Sequence, residues 1–422
     1  MFIKQTPQTH MCKSRKSMDV IQPNTPKSSK SLSSSPNYNF DTTNSNDFNI
    51  NNKKKNKKYN NNYYSKSSTS STTSNSSLST LKDSLPENPH IYNFSEICAA
   101  TNNFLAKPIS SSSTSSSWRC TLRDKQAIVF KRKLRHPIDS SDLRDRLSLV
   151  CRGHHSSLIR LLGASLSGNC IYLVYEYVSG ANLADCLRNR MNPNFTVLSS
   201  WLSRIKIAAD IAHGLDYIHN CSGLDSKFIH NHIKTTSVIV SEDQLHAKIC
   251  HFGTAELCGE SLRFDGPILG KSDSGGIKIE GTRGYMAPEF QGSGIATQKC
   301  DVYAFGVVLL ELLSGEEGLR YVFDEGGGGY KRVSVIETAR EAVSGGVGGV
   351  RRWADRRLKD SFPVEVAEKT VIVGLECVEE DPYKRPDMGR VAGMVSRLYL
   401  ESVNWAERIG VPIDFTVSMA PR

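Results

Sequence analysis

Phe228-Ile229-His230-Asn231-His232-Ile233-Lys234-Thr235-Thr236-Ser237-Val238 is the stretch on which the reading of this chain turns. It holds two imidazoles, a lysine and three hydroxyl side chains, and no carboxylate. Fourteen residues past Ser237 comes His251-Phe252-Gly253, again with an imidazole and no acid. Upstream, Leu202, Ile205, Ala208, Ala212, Leu215 and Ile218 recur at steps of three and four. That spacing predicts an amphipathic helix of about five turns, which would carry the quoted stretch at its end. The literal His-Asn-His string lacks the ββα context of a nuclease. A soft-metal site built from His230, His232 and His251 would want a fourth ligand and a cysteine at suitable spacing, and the sequence offers neither. No metal site is expected.

Composition divides the chain near residue 88. Before it Ser, Asn, Thr and Lys dominate, without helical or strand periodicity, so too little apolar area exists to offset chain entropy. Residues 1–88 are therefore expected to be a disordered arm. Residues 1–90 hold 13 Lys and Arg against 5 Asp and Glu, a net of +8 out of +10 for the whole chain. The arm's Lys53-Lys54-Lys55-Asn56-Lys57-Lys58 suits an anionic leaflet, a nuclear localisation patch, nonspecific nucleic acid or plain solvation. Eleven cysteines form no CxxC pair, which fits reduced thiols. No apolar run of eighteen residues exists, no signal peptide is evident, and neither terminus carries a myristoylation or prenylation pattern.

Beyond Pro89 the order is a strand-rich segment, a hinge and a longer helical segment. Ala127-Ile128-Val129-Phe130-Lys131 reads as a buried strand, and Ile171-Tyr172-Leu173-Val174-Tyr175-Glu176-Tyr177 as another that runs into the hinge. Later come Gly281-Thr282-Arg283-Gly284-Tyr285-Met286-Ala287-Pro288-Glu289, Asp301-Val302-Tyr303-Ala304-Phe305-Gly306 and Asp381-Pro382-Tyr383-Lys384-Arg385-Pro386. Together with the opening stretch these landmarks resemble a protein kinase, in the style of plant receptor-like cytoplasmic kinases and near the intracellular domains of LysM receptor kinases. The resemblance implies an α+β, two-lobed kinase fold over residues 89–402. The small strand-rich N-lobe would occupy 89–175, the hinge 176–180 and the helical C-lobe 181–402, with a tail at 403–422. The glycine runs at Gly326–Gly329 and Gly345–Gly349 lack the GK[ST] of a phosphate loop and are expected to be large-lobe loops.

Measured against that family, the chemistry is depleted. The catalytic loop H-R-D-L-K-x-x-N supplies a base and a metal-holding Asn, and D-F-G supplies the principal magnesium ligand. His232, Ser237 and His251 stand in those places. Magnesium prefers hard oxygen ligands, so imidazole is a poor substitute. The Gly-rich loop is replaced by the serine run from Ser110 to Ser117. Lys131 would be the phosphate lysine, Val129 the residue capping adenine, and Glu176 and Tyr177 the hinge contacts. Arg146, with Asp145 one residue off, falls where that lysine's glutamate partner belongs, and Asn231 replaces the arginine that answers an activation-loop phosphate. His230, Phe252, Glu289, Asp301 and Arg385 match residues that hold the large lobe together.

The expectation is a pseudokinase: a binding or scaffold component of receptor-proximal signalling with little or no phosphoryl transfer. The alternative is a weak or unconventional ATP-dependent serine/threonine kinase with His232 as base. ATP stays a candidate ligand and magnesium is disfavoured. Expected partners are proteins, a membrane receptor kinase among them, and an anionic membrane surface through the arm, with no specific nucleic acid. The expected location is the cytoplasm, peripheral at the plasma membrane, with the nucleus as the alternative.

Overall fold

Aromatic packing organises the first strands. In the computed structural model, which describes residues 90–112, 115–221, 228–260, 281–324 and 326–410, β1 (His90–Ile91) precedes helix α1 (Phe94–Ala100). Next come β2 (Ser110–Ser111), β3 (Ser115–Leu122), β4 (Lys125–Lys133), α2 (Ser140–Cys151), β5 (Leu161–Ser167) and β6 (Cys170–Glu176). The six strands form one sheet in the order β1-β5-β6-β4-β3-β2. Only β1 pairs in parallel. Phe94, Phe104, Trp118 and Tyr172 stack on its outer face, with ring centroids 5.0–6.1 Å apart. Arg123 and Asp124, both at positive φ, make the two-residue turn that the right-handed twist of β3 and β4 favours.

The sheet is buried on both faces, and alternation along β4 distributes its side chains between two cores. Ala127 and Val129 join Tyr92, Ile97, Tyr172 and Val174 under α1. Phe130 joins Leu143 and Leu147 of α2, Leu173 and Tyr175 in the main core. Asp139 caps α2 by accepting from the backbone N–H groups of Ser141 and Asp142.

The larger lobe begins with β7 (Gly180–Asn182), α3 (Leu183–Leu187) and α4 (Trp201–Asp216). A π turn, Tyr217–Cys221, extends α4, and its expected apolar stripe is buried throughout. β8 (Val238–Ser241) and β9 (Ala247–Ile249) complete a small sheet in the order β7-β8-β9. Then follow α5 (Thr254–Leu257), α6 (Pro288–Ser293) and α7 (Gln298–Ser314). Helix α7 is buried along nearly its whole length, and Gly306 allows α10 to approach: a Cβ there would lie 2.6 Å from the Cys377 Cβ. The remaining elements are the hairpin β10 (Leu319–Asp324) and β11 (Gly329–Ser334), α8 (Val335–Ser344), α9 (Gly349–Trp353), α10 (Val364–Cys377) and α11 (Met388–Ile409).

One boundary needs correcting. Helix α11 runs to Ile409, past the expected domain edge at 402, because its last turns are packed: Trp201 Nε1 donates to Ser402 Oγ at 2.8 Å, and Ala406 is buried. The glycines at 326–329 close the β10–β11 hairpin. All described residues belong to a compact unit spanning Ser74–Arg422. The basic arm with Lys53–Lys58, the greater part of the loop from Cys258 to Gly281, and the tail after residue 410 lie outside the described residues. Among the described residues no helix is long and apolar enough to cross a membrane.

Candidate functional site

Asp301, in the first turn of α7, positions the opening stretch. Its carboxylate accepts from the backbone N–H of His230 and of Asn231, both at 2.7 Å, and contacts His219 Nε2 at 3.0 Å. Burial alone would favour the protonated acid, but the His219 hydrogen bond and the neighbouring imidazoles outweigh it and hold the carboxyl below its usual range. Asn231 takes a left-handed φ of 62° at this anchor. His230 is buried, its ring contacts the Cys250 carbonyl at 2.8 Å, and desolvation pushes its pKa down to about 4.

The two positions where metal chemistry would sit are occupied by unsuitable groups. Ser237 Oγ lies 2.6 Å from the His232 carbonyl and 2.9 Å from that of Lys234, and accepts from the Lys234 N–H. It braces its own loop. His251, at φ 66°, is half-buried with its ring centroid 4.2 Å from that of Phe130. Its Nδ1 has no hydrogen-bond partner among the described residues. Burial first, then the positive potential of His232, His230, Arg132 and Lys234, pushes its pKa far down, so it stays a neutral imidazole. This set does not fit magnesium, which takes oxygen ligands. Among the described residues no cluster of three or more His, Cys, Asp or Glu is placed to hold a metal ion.

One carboxylate does enter the cleft, and the sequence had not pointed to it. Glu260, three residues past α5, has a side chain only 1% exposed. Arg132 Nε donates to its Oε1 at 2.7 Å, and Arg132 Nη2 lies 2.7 Å from the same atom. Asn231 Nδ2 donates to Oε2 at 2.9 Å. His232 Nε2 also lies 2.9 Å from Oε2, a close contact without the alignment of a hydrogen bond. Burial opposes ionisation of Glu260, yet His232, Arg132 and Arg135 hold its carboxyl far below the ordinary range. It is a neutralised anion, unavailable to a divalent cation.

The strand that carries this arginine corrects the nucleotide assignments. Register with β6 pairs Phe130 with Leu173 and Lys131 with Tyr172. Lys131 therefore faces outward, its Nζ 5.9 Å from the Tyr172 ring centroid, and Val129 packs in the outer core. In V-A-I-K the capping Ala precedes the Lys by two residues, on the same strand face. The inward residues here are Arg132 and, two before it, Phe130. The phosphate-lysine position thus holds an arginine already bound to Glu260, and the adenine-capping position holds a phenyl ring packed at a tilt against His251. Because both faces of β4 are buried, apolar content alone did not reveal which residues point into the cleft.

The other expected contacts are engaged locally. Glu176 accepts from the Arg160 N–H at 3.1 Å, and Tyr177 lies beneath the Arg119 guanidinium, 3.9 Å from centroid to Cζ. Arg146 binds Asp142 one turn back on α2 at 2.6 Å and donates to the Glu256 carbonyl. The serine run forms a hydroxyl ladder across β2 and β3, with Ser110–Ser117 at 2.8 Å, Ser111–Ser116 at 3.3 Å and Ser112–Ser115 at 2.8 Å. Tyr175 closes the back of the cleft: its hydroxyl donates to the Phe252 carbonyl at 2.9 Å and meets Thr254 Oγ1 at 3.0 Å.

The architectural residues come together. Arg385, fully buried, grips Glu289 through both Nη atoms at 2.6 and 2.8 Å and also donates to the carbonyls of Glu379 and Lys299. Phe252 lies buried 6.0 Å from Phe228, centroid to centroid.

This pairing of a sheet-built lobe with a helical lobe, joined at residues 176–180 and anchored through Asp301, is a kinase architecture. The protein kinase domain model matches residues 107–392, and the chain belongs to that family, among the plant receptor-like kinases. It is 30% identical over 326 residues to LysM domain receptor-like kinase 3 of Arabidopsis thaliana, covering 76% of this chain and 48% of that protein. Chitin elicitor receptor kinase 1 of the same plant is 32% identical over 272 residues, covering 61% and 39%. The chain thus spans about half or less of these relatives. Among solved structures it resembles the pseudokinase domain of BIR2, an immune regulator of the RLK/Pelle family. The TM-score is 0.57 at 24% identity, covering 81% of this chain and all of that one, a likeness that speaks to the fold.

Proposed function

We propose that this chain is a pseudokinase that works as a binding or scaffold component in receptor-proximal signalling. The observation that carries the reading is the neutralised Glu260: the arginine at the phosphate-lysine position is bound to this internal carboxylate, and the imidazole at the catalytic-base position faces it at 2.9 Å. Phosphoryl transfer depends on positioned phosphates, metal charge and a free base. His251, Ser237 and Phe130 argue against the remaining parts. The alternative of a weak kinase needs His232 free to accept a proton, and its Nε2 instead faces Glu260.

The intact large-lobe anchors, Glu289–Arg385 and Asp301, support a fold kept for surface recognition, with a membrane receptor kinase as the class of partner. The Lys53–Lys58 run supports contact of the arm with an anionic membrane. The deciding experiment incubates the full chain with magnesium, labelled ATP and a generic protein substrate, beside an active receptor-like kinase domain. No transfer above the enzyme-free control is expected, and turnover near that of the active domain would overturn the reading.

A further inference from the structure

We propose that Glu260 is a built-in ligand: its carboxylate fills a metal-free anion site made by Arg132, Asn231 and His232, and vacating that site lets the cleft take a phosphate-class anion. This goes beyond the scaffold reading, which would hold equally for a cleft shut permanently.

The groups around it come from two parts of the fold that the carboxylate joins. Arg132 belongs to β4, whereas Asn231 and His232 belong to the loop anchored by Asp301. A guanidinium, an amide N–H and an imidazole converge on two oxygens within 2.7–2.9 Å, with Arg132 10% and His232 19% exposed at their side chains. The guanidinium and the amide donate to the paired oxygens with the imidazole beside them, an arrangement that suits phosphate as well as carboxylate. Lys234 lies close by: its Nζ donates to Thr282 Oγ1, and burial first, then the nearby Arg132, disfavours its charge. Among the described residues the set holds no acid besides Glu260, so the site selects an anion free of divalent metal.

Glu260 is held there by its backbone as well. Its N–H donates to the Ala255 carbonyl at 2.8 Å, and the Arg135 N–H reaches back from the end of β4 to the Cys258 carbonyl at 3.0 Å. Gly259 makes the intervening turn at φ 73°, where a Cβ would come within 2.8 Å of the His136 ring. The carboxylate is therefore delivered by a defined turn. Phe130 on His251 fills the place of a base, so recognition is confined to the phosphate and excludes the nucleoside.

The test compares the full wild-type chain with Glu260→Ala in EDTA, titrating inorganic pyrophosphate and, separately, ADP, with chloride at matched ionic strength as control. The wild type should show no thermal shift. Glu260→Ala should melt lower and be raised several degrees by pyrophosphate, with ADP binding no tighter than pyrophosphate. Adding Arg132→Met to Glu260→Ala should abolish the response. Should Glu260→Ala fail to fold, the isosteric Glu260→Gln is titrated instead, with pyrophosphate affinity expected at least tenfold above wild type. Equal responses of wild type and variant, a response that survives Arg132→Met, or markedly tighter ADP would each overturn the proposal. Because the readout is anion binding, it is separable from the transfer assay that tests the pseudokinase reading.

Discussion

Replacing Asp301 by alanine removes the anchor of the depleted loop while leaving every cleft residue in the sequence. Asp301 is buried and receives two backbone N–H groups at 2.7 Å and the His219 ring at 3.0 Å. An orphaned buried donor costs about 1–3 kcal/mol, and breaking a buried charged pair about 3–5 kcal/mol. The three donors share one acceptor, so we expect a loss of about 3–5 kcal/mol rather than their sum. At about 2 °C per kcal/mol for a domain of this size, the melting temperature should fall by about 6–10 °C. Asp301→Asn should recover little, because its amide nitrogen turns a second donor toward one of the two backbone N–H groups. The assay is urea and thermal denaturation of both variants, together with amide exchange at His230 and Asn231, whose protection should collapse first. A loss under about 1 kcal/mol, the worth of an ordinary hydrogen bond, would refute the anchoring role.

Further outcomes rest on the same geometry. Arg385→Ala should cost about 3–5 kcal/mol in denaturant midpoint experiments, because it takes the guanidinium from Glu289 and from three carbonyls. Stability should decline from pH 7 to pH 5: His230, with its pKa near 4 in the fold and about 6.5 when unfolded, binds the extra proton only in the unfolded chain across that window. His251, depressed in the same direction, should add to the slope, so His251→Leu should flatten a plot of melting temperature against pH. The Glu260 contribution is complete above its unfolded pKa of about 4.5 and should be lost only as pH falls below it. The paired change His232→Asp and His251→Asp should yield no measurable phosphoryl transfer, because Phe130 and the Arg132–Glu260 pair remain; turnover in a radiolabel assay would show that these two imidazoles alone limited activity.

Much of the large lobe was legible in the residues because its signals are local. The stripe from Leu202 to Ile218 specifies a helix wherever it lies, and the segments around Glu289, Asp301 and Arg385 each carry enough neighbours to declare their place. The loss of acid groups at 232 and 251 was equally plain, since charge type is a property of the residue. The strand at 125–133 was not legible in the same way. With both faces of the sheet buried, apolar residues mark neither side, and reading Lys131 as the inward lysine shifted the assignment by one residue and therefore to the opposite face.

What the amino-acid order determined by itself is the kinase-type succession of elements, the compositional break near residue 88, and the replacement of metal-binding acids by imidazole and hydroxyl. What only the tertiary structure decided is how the cleft is filled. The register of β4 against β6 turns Phe130 and Arg132 inward, and folding brings Glu260 to an arginine 128 positions earlier and to an asparagine 29 positions earlier. Ion pairing depends on distance in space and on exclusion of water, and neither is written in the local run of residues that supplies the charges.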